Sequence, residues 1–431
     1  MKKLLGIFGI CLLICTINSC NKEEEAQGPD LAWLGEELVT ISSVDPDADD
    51  NGLDAILQKI DDAQIVGLGE GTHGTTEFWS IRQKITRYLV ENKGFTAVLF
   101  EASFPGSFAL HDYIASGTGI ASEAHYKLGS WSYLEMQNLI TWMRQYNIDH
   151  PGSGDEPSLH FYGYDCAFSS WTEPINLIVS YLQVVDAGEA ENIKNRLLQH
   201  TKEDAIFVQN FFSTKESVYT ALSSEKEYQT IFRIVSNLLP SWEIWDRLSL
   251  DKPTLQYRDS VNIQNVNFIL ENLINGGKVI LWAHNAHVRN GYFPDAEGTY
   301  ARMLGSRLRE QFGSSYYTIA TQFYDGNFLA WDECEDHDFL FIDHQAAVPP
   351  DDSYPSLFWQ TGVPLFFLDL SQIDYTGERA SWLLEPRMLR EIGATYCKDL
   401  DPQYYYNLSL PERYDGIVFV KTSHPTTKIT F

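Results

Sequence analysis

The chain has 431 residues, of which 44% are hydrophobic, and its 31 Lys and Arg side chains are outnumbered by 59 Asp and Glu side chains. The formal net charge is therefore −28. Binding to nucleic acid requires concentrated positive charge, so this composition argues against a nucleic-acid partner. A chain of this size can bury a large core as one elaborated domain or as two.

The first residues have the features of a secretory signal. Lys2 and Lys3 precede an apolar run over residues 4–15, which is too short to span a bilayer. The segment Ile17-Asn-Ser-Cys20 resembles a lipobox, in which the signal is cut before a cysteine that becomes lipidated. We predict a signal peptide over residues 1–19, a lipid on Cys20 and a flexible tether over residues 20–34, because the acidic segment has little apolar surface. The expected location is the cell envelope, with the lipid anchored in the outer membrane and the protein on its periplasmic or its outer face.

Three cysteines remain in the folded part of the chain, namely Cys166, Cys334 and Cys397. Because their number is odd and their positions are scattered, the sequence predicts no disulfide framework, even in an oxidising compartment. A chain of this size does not need such bonds for stability.

Seven short apolar runs predict β-strands, at residues 65–69, 97–100, 159–164, 278–283, 316–322, 364–370 and 416–421. Most of the runs are continuous rather than alternating, which is typical of strands that are covered on both faces. Helical patterns separate several of them. The predicted fold class is therefore α/β, with a mostly parallel sheet between two layers of helices.

Residues 171–277 show one helical pattern after another. A crossover between parallel strands needs only one helix, so most of this segment is predicted to form an inserted all-helical subdomain that caps the cleft. Residues 35–170 and 278–431 then form the α/β core.

A titratable residue closes each of the first four predicted strands, namely Glu70, Glu101, Asp165 and His284. The C-terminal ends of parallel strands lie along one edge of the sheet, where such folds place their sites, so we expect these side chains to converge. A histidine follows two of them after three residues, as His73 and His287. The sequence thus predicts a polar site at this edge.

His73 stands just before a predicted helix that begins near Thr75. The positive end of the helix dipole disfavours imidazolium, so we expect a neutral His73 that can accept a proton. Glu70 or Glu101 is expected to hold its other nitrogen.

Arg82 falls within or beside the apolar stripe of the same helix. A guanidinium there needs an anionic partner or a path to solvent. We expect Arg82 to pair with Glu70 or Glu101, or to contact a substrate oxygen. The alternative is a side chain whose stem extends to solvent.

Other interpretations of these residues remain open. One is a divalent metal site, because histidines beside carboxylates are suitable ligands, and its donors would be Glu70, His73, Glu101 and His284. The turn Gly69-Glu-Gly-Thr-His-Gly74 also fits the G-x-G-x-x-G pattern of dinucleotide binding, although a carboxylate among the backbone donors opposes a pyrophosphate. A serine hydrolase of the nucleophile-elbow type is disfavoured, because the chain contains no G-x-S-x-G.

With these residues assembled, the sequence resembles the erythromycin esterase family. The resemblance covers most of the chain from about residue 35, and its motifs are Gly67-Leu-Gly-Glu-Gly-Thr-His-Gly74, Val98-Leu-Phe-Glu101, Tyr162-Gly-Tyr-Asp165, Arg258-Asp259 and Trp282-Ala-His-Asn-Ala-His287. It implies an α/β fold with a helical subdomain that forms a deep cleft. It also implies hydrolysis of an ester, which in characterised members is a macrolide lactone opened without an obligatory metal, an activity that confers antibiotic resistance.

The resemblance implies roles for individual residues. His73 resembles the general base that activates water, and Glu70 the acid that supports it. The positions that line the same site are Glu101, Arg82, His284 and His287. We predict direct attack of water on a small-molecule ester, with no cofactor, with Asp165 binding the substrate, and with Arg82, His284 or His287 stabilising the oxyanion. A metal-dependent hydrolase, a metal- or haem-binding protein and a non-catalytic ligand-capturing surface protein are the other interpretations.

Overall fold

The computed structural model describes residues 29–49, 53–57, 60, 62–126, 133–153, 156–168, 170–246, 252–294, 300–334, 338 and 340–429. The predicted signal peptide and Cys20 lie outside these residues, as does most of the predicted tether. In the part of the chain that the structure describes, no helix combines the length and the apolar character needed to cross a membrane.

The strands are β1 (Val39–Thr40), β2 (Ile65–Glu70), β3 (Phe95–Ser103), β4 (His160–Asp165), β5 (Lys278–His284), β6 (Tyr292–Pro294), β7 (Tyr300–Arg302), β8 (Tyr316–Asp332), β9 (Phe341–Gln345), β10 (Leu365–Asp369), β11 (Arg387–Arg390), β12 (Thr395–Tyr396), β13 (Tyr405–Leu408) and β14 (Gly416–Ser423). The seven predicted strands are confirmed as β2, β3, β4, β5, β8, β10 and β14.

A ten-stranded mixed sheet forms the centre of the fold, with the main order β1-β10-β14-β8-β2-β5-β3-β4 and with β9 and β12 paired to β8. The strands from β14 to β4 in this order are parallel to one another. At the opposite margin β10 is antiparallel to β14, and β1 is antiparallel to β10. The sheet is therefore mostly parallel, as predicted.

The α-helices are α1 (Leu31–Glu37), α2 (Leu53–Leu57), α3 (Thr76–Lys93), α4 (Phe108–Ser116), α5 (Ala121–Tyr126), α6 (Leu134–Asp149), α7 (Thr172–Val185), α8 (Ala187–Leu197), α9 (Lys202–Ser213), α10 (Glu216–Leu222), α11 (Glu225–Asp246), α12 (Lys252–Phe268), α13 (Asn285–Val288), α14 (Leu304–Phe312), α15 (Tyr354–Gln360) and α16 (Leu410–Arg413). A π-helical turn (Ile269–Leu273) follows α12 directly.

Alternate residues of the central strands pack on opposite faces of the sheet, because successive side chains of a strand point to opposite sides. On β5, Val279 and Leu281 belong to one hydrophobic cluster, whereas Ile280 and Trp282 belong to another. The first cluster includes residues of α7 to α12, and the second includes residues of α3, α4 and α6. Both faces are therefore covered, which explains the continuous apolar runs and gives the predicted three layers.

Among the described residues between positions 171 and 277, the structure contains helices and no strand. Residues of α7 to α12 belong to the same hydrophobic cluster as residues of the central strands, so the helical segment and this face of the sheet share one core. The last of these helices, α12, brings its middle turn to the ends of β3 and β4, where Arg258 contacts Glu101 and Asp165.

The predicted end of the tether at residue 34 is wrong. The helix α1 begins at Leu31, and its first turn is capped by Asp30, whose side chain accepts a hydrogen bond from the Trp33 N–H at 2.9 Å. Trp33 and Leu34 are buried in the first hydrophobic cluster. These two large apolar side chains are buried, so the folded part begins before residue 34.

The prediction of a chain without disulfides is also wrong. Cys334 and Cys397 form a disulfide bond, with their Cα atoms 5.0 Å apart. Cys397 directly follows β12, which pairs in parallel with the end of β8, and Cys334 stands two residues beyond β8. The pairing of two strands that are distant in sequence brings the thiols together, and cysteine spacing carries no signal of it.

Candidate active site

The four strand-closing residues lie on neighbouring strands, in the order β2, β5, β3 and β4. Glu70 at the end of β2 and His284 at the end of β5 are direct register partners. Glu101 and Asp165 stand near the ends of the next two strands. Since these strands are parallel, the four side chains occupy one edge of the sheet, which is where the sequence placed the site.

The turn after β2 forms a histidine–carboxylate pair. The Nδ1 atom of His73 is 2.6 Å from Oε1 of Glu70. A carboxylate at this position favours the proton on Nδ1, so Nε2 is the ring nitrogen that accepts a proton. The His73 side chain is 18% exposed, whereas the Glu70 side chain is 1% exposed. His73 is also more exposed than the other predicted site residues, and it marks the side from which solvent reaches the site.

Arg82 supports Glu70 from the helix α3. Its Nη2 donates a hydrogen bond to Oε2 of Glu70, and its guanidinium lies over the rings of Trp79 and Trp282, at 5.1 and 4.4 Å from their centroids. Burial lowers the pKa of Arg82, while the Glu70 carboxylate acts in the opposite direction. Both oxygens of Glu70 therefore have partners, and the ion pair is one of those expected for this buried guanidinium.

Glycines allow the turn to pass close to its neighbours. A Cβ atom on Gly69 would lie 2.3 Å from Oδ1 of Asn285, and one on Gly74 would lie 2.0 Å from the carbonyl oxygen of Leu329. A side chain at either position is thus excluded by the adjacent backbone and amide. Packing between protein segments accounts for the glycine spacing, and no bound phosphate is needed to explain it.

In the turn after β5, the ring of His284 has a different hydrogen-bonding state from that of His73. Its Nδ1 accepts a hydrogen bond from the backbone N–H of Ala286 at 3.2 Å, which caps α13. The proton of the neutral ring is therefore on Nε2, and within the described residues this buried atom makes no hydrogen bond. Burial, together with the charges of His73 and His287, lowers the pKa of His284 well below its usual value. His284 is a neutral ring with an N–H to donate.

His287 is held between two carboxylates. Its Nδ1 is 2.8 Å from Oδ2 of Asp259, and its Nε2 is 3.3 Å from Oε1 of Glu101. Burial by itself would lower the pKa of His287, but the carboxylates of Asp259 and Glu101 raise it to about 9. At neutral pH both ring nitrogens carry protons, so His287 is a cation that cannot act as a base.

Glu101 joins the second turn to α12. Its Oε2 accepts a hydrogen bond from the backbone N–H of His284 at 3.0 Å, and its Oε1 accepts one from Nη2 of Arg258 at 3.1 Å. Burial raises the pKa of Glu101, but the charges of His287, Arg258 and His73 outweigh burial and lower the pKa to about 2. Glu101 is therefore an anion at neutral pH.

Asp165, the predicted substrate-binding residue, faces Arg258. Its Oδ1 accepts hydrogen bonds from Nε of Arg258 at 2.9 Å and from the backbone N–H of Ala167 at 3.0 Å, and its Oδ2 accepts one from Nη2 of Arg258 at 2.5 Å. Both of its oxygens therefore have protein partners, and binding of substrate by Asp165 stays a prediction.

Two charged residues of the site were not among the predicted ones, namely Arg258 and Asp259. They stand next to each other on α12, and their motif belongs to the family resemblance. The helical pattern does not indicate which sheet edge they reach, because Arg258 bonds partners 93 and 157 residues away in sequence.

The donor atoms do not fit the alternative of a divalent metal held by Glu70, His73, Glu101 and His284. The oxygens of both carboxylates face protein cations and N–H groups, and Nδ1 of His284 accepts from the backbone. Among the described residues, no three His, Cys, Asp or Glu side chains are arranged to hold a metal ion. The charges of the cluster are balanced by Arg and His side chains instead.

At the edge of the α/β sheet, a histidine paired with a carboxylate therefore lies beside a neutral histidine that can donate a hydrogen bond. The family model described as erythromycin esterase matches residues 90–423. The chain therefore belongs to the erythromycin esterase family. The matched region contains Glu101, Arg258, His284 and His287, whereas His73 lies before it.

Relatives agree with this family. The chain is similar to "Putative hydrolase YbfO" of Bacillus subtilis (strain 168), with 21% identity over 402 residues, or 85% of each protein. It is similar to erythromycin esterase type II of Escherichia coli, with 22% identity over 334 residues, 69% of this chain and 78% of that protein. These relatives support a hydrolase.

Solved structures show the same fold. A Bacillus cereus protein superposes with a TM-score of 0.78 and 24% identity, covering 93% of this chain and 98% of that one. A histidine-to-asparagine variant of the erythromycin esterase EreC, in its open conformation, superposes with a TM-score of 0.65 and 17% identity, covering 90% of this chain and 97% of that one.

Proposed function

We propose that this protein hydrolyses a carboxylic ester by direct attack of a water molecule that His73 activates. The observation that carries the proposal is the juxtaposition of two histidines in opposite hydrogen-bonding states. His73 has Nδ1 on Glu70 and accepts a proton on Nε2, while His284 has a backbone donor on Nδ1 and presents Nε2–H. The two ring centroids are 5.5 Å apart. Membership of the erythromycin esterase family supports ester chemistry.

In this mechanism His73 removes a proton from water as the water oxygen attacks the ester carbonyl carbon. The π electrons of the carbonyl move to its oxygen, and Nε2–H of His284 stabilises the resulting oxyanion. Glu70 stabilises the imidazolium formed on His73, and Arg82 holds Glu70 in place. The imidazolium then gives its proton to the alcohol oxygen as the tetrahedral intermediate collapses to the acid and the alcohol. General-base assistance of this kind contributes roughly 10²- to 10⁴-fold to the rate.

The unpartnered N–H of His284 supports this role. A buried donor without an acceptor destabilises a folded protein by about 1–3 kcal/mol, so its presence calls for a functional explanation. The oxyanion forms only during the reaction and accepts this hydrogen bond. The bond therefore stabilises the transition state more than the bound substrate, which raises the rate. The mechanism requires a small displacement that opens Nε2 to the substrate.

The proposed substrate is a bulky ester, with a macrolide lactone as the first candidate. The similarity to an erythromycin esterase of Escherichia coli supports a macrolide. We propose that the helical segment 171–277 caps the cleft and selects the substrate, because α12 supplies residues that reach the edge of the sheet.

A screen of the purified protein against macrolides, acylated sugars and aryl esters, read by product mass, tests the proposal. One substrate is expected to gain one water, without loss of mass if it is a lactone. With enzyme in excess in ¹⁸O-labelled water, the acid should carry label after a single turnover, with no acylated peptide. An acylated residue would contradict direct attack. If the purified protein contained a stoichiometric metal and lost its activity when a chelator removed that metal, the metal-dependent alternative would be favoured. If no ester in the panel were hydrolysed, ligand capture would be favoured.

We also propose that the protein is exported and anchored through a lipid on Cys20. The lipobox-like segment before Cys20 supports this, and the bond between Cys334 and Cys397 fits an oxidising compartment. Cys20→Ser is expected to abolish labelling by a fatty-acid probe and to release the protein from the membrane fraction. Cys15→Ser, within the predicted signal, is the control. Wild-type protein that takes up no label would contradict the anchor.

A further inference from the structure

We propose that Arg258 and Asp259 are positioning residues of the site, which lock Glu101 and His287 in place and thereby fix the backbone and the ring of His284. This inference rests on the proposed ester hydrolysis. It makes α12 a structural part of the site as well as part of the helical segment.

Asp259 forms the first arm of this arrangement. It is fully buried, and its Oδ2 accepts from Nδ1 of His287 and from the backbone N–H of Leu304, each at 2.8 Å. Its Oδ1 lies 3.4 Å from the Nδ2 donor of Asn262 on the same helix. The carboxylate is therefore fixed by α12 and by the start of α14, and it holds the His287 ring in one orientation.

Arg258 forms the second arm. Its Nε and Nη2 donate to the two oxygens of Asp165, and Nη2 also donates to Glu101. Asp165 is itself held by the backbone N–H of Ala167. This planar fork needs an arginine, because a lysine ammonium has one nitrogen and cannot span both oxygens of a carboxylate while reaching a second one.

The two arms meet at Glu101. Its Oε1 accepts a hydrogen bond from Nη2 of Arg258 at 3.1 Å and forms an ion pair with Nε2 of His287 at 3.3 Å. Its Oε2 accepts a hydrogen bond from the backbone N–H of His284 at 3.0 Å. Any rotation of Glu101 would release that N–H. Because the same turn carries the Ala286 N–H that orients the His284 ring, the direction of Nε2–H depends on Glu101.

Stability alone is a poor explanation for this cluster. Buried ion pairs are often no more stabilising than apolar side chains of the same volume, because desolvation opposes the attraction between the charges. Here three carboxylates and His287 are buried, and the Arg258 side chain is only 13% exposed. Arg258 and His287 both contact Glu101, which accepts from the backbone N–H of His284. A raised pKa of His287 agrees with a cation held between two carboxylates.

The test compares Asp259→Asn and Arg258→Lys with a control on the same helix. A misplacement of a catalytic group by about 1 Å can reduce the rate roughly 10²-fold, and we expect a loss of up to this size in kcat with little change in KM. Asn265→Ala is the control, because buried Asn265 bonds the carbonyl oxygen of Tyr164 and Arg233 and contacts none of the site carboxylates. It should lose stability and keep kcat. An equal fall in kcat for Asn265→Ala, or an unchanged kcat in both site variants, would overturn the proposal.

A readout that does not need a substrate separates this inference from the proposed function. In Asp259→Asn, the backbone amide proton of His284 should exchange faster with solvent and shift in the NMR spectrum, whereas Asn265→Ala should leave it unchanged. An unperturbed amide in Asp259→Asn would contradict the positioning role. If no ester is hydrolysed by the wild type while the amide responds as expected, the proposed function fails and the coupling from α12 to His284 stands.

Discussion

The turns after β2 and β5 share a spacing and differ in chemistry. In each turn the residue that closes the strand is followed three positions later by a histidine, as Glu70 and His73 in one and as His284 and His287 in the other. The first turn holds one partly exposed imidazole against one carboxylate. The second turn holds a buried neutral imidazole and a buried imidazolium.

The difference arises from what surrounds each ring. The ring of His284 is buried beside two other histidines, so its pKa falls, whereas His287 lies between Asp259 and Glu101, so its pKa rises to about 9. Equal spacing sets similar local geometry, but burial and neighbouring charges decide which protons each ring carries. Three histidines at one sheet edge can thus serve as base, donor and positioning cation.

Removal of the first turn's histidine should have the largest effect. His73→Asn is expected to lower kcat roughly 10²- to 10⁴-fold, because the general base is lost while the fold is kept. The matched control is His424→Asn, since Nδ1 of His424 is also 2.6 Å from a carboxylate oxygen, that of Glu77, but the side chain is 69% exposed. Steady-state kinetics on the ester found in the screen measure both. Full activity in His73→Asn would rule out this histidine as the base.

Loss of the donor in the second turn should come next. His284→Phe keeps a buried aromatic ring but removes Nε2–H, and loss of one oxyanion donor typically lowers kcat about 10²- to 10³-fold. His160→Phe is the control, because His160 is similarly buried but stands at the start of β4, at the end of the strand that is away from the site. If His284→Phe changed KM and left kcat unchanged, His284 would bind the substrate without stabilising the transition state.

The second turn also predicts opposite pH dependences of stability. The pKa of His287 is raised, so its stabilising charge is fully present below about pH 6.5 and is lost as the pH rises through about 9, a loss on the order of 3 kcal/mol. The pKa of His284 is lowered, so its contribution is present above about pH 6.5 and is lost as the pH falls.

Urea unfolding across pH measures these two slopes. The stability difference between wild type and His287→Gln should shrink from pH 6.5 to pH 9, and His284→Phe should weaken the loss of stability on the acid side. A difference between wild type and His287→Gln that does not change with pH would show that His287 is not charged in the native state.

The smallest expected effect concerns the segment that touches both turns. The carbonyl oxygen of Gly393 accepts from the backbone N–H of His73 at 3.3 Å, and a Cβ on Gly393 would lie 3.9 Å from Nε2 of His284. Gly393→Ala should lower kcat severalfold. Gly362→Ala is a matched control, because both glycines have φ of +77° and a Cβ on Gly362 meets nothing within 4 Å. If both variants lost similar stability and had the same kcat, Gly393 would have no role in the site beyond its effect on stability.

Much of this architecture is readable from the sequence. Continuous apolar runs predict the seven strands, and the rule that parallel strands end at one edge groups Glu70, Glu101, Asp165 and His284 before any contact is known. These predictions succeed because they rest on local hydrophobic pattern and on a general property of parallel sheets. The strand-end spacing also identifies His73 and His287.

Only the tertiary structure decided which partner each of these groups has. Arg258 and Asp259 reach the site from α12, the disulfide joins residues 63 positions apart, and Trp33 packs into the core from a segment that composition alone describes as a tether. Protonation depends on burial and on charges delivered by distant elements, which neither spacing nor composition contains. The sequence by itself therefore determined where the polar edge lies and which side chains stand on it. The packing of α3, α12 and α13 against that edge decided which imidazole pairs with a carboxylate as the proposed base, which is a neutral donor and which is a cation.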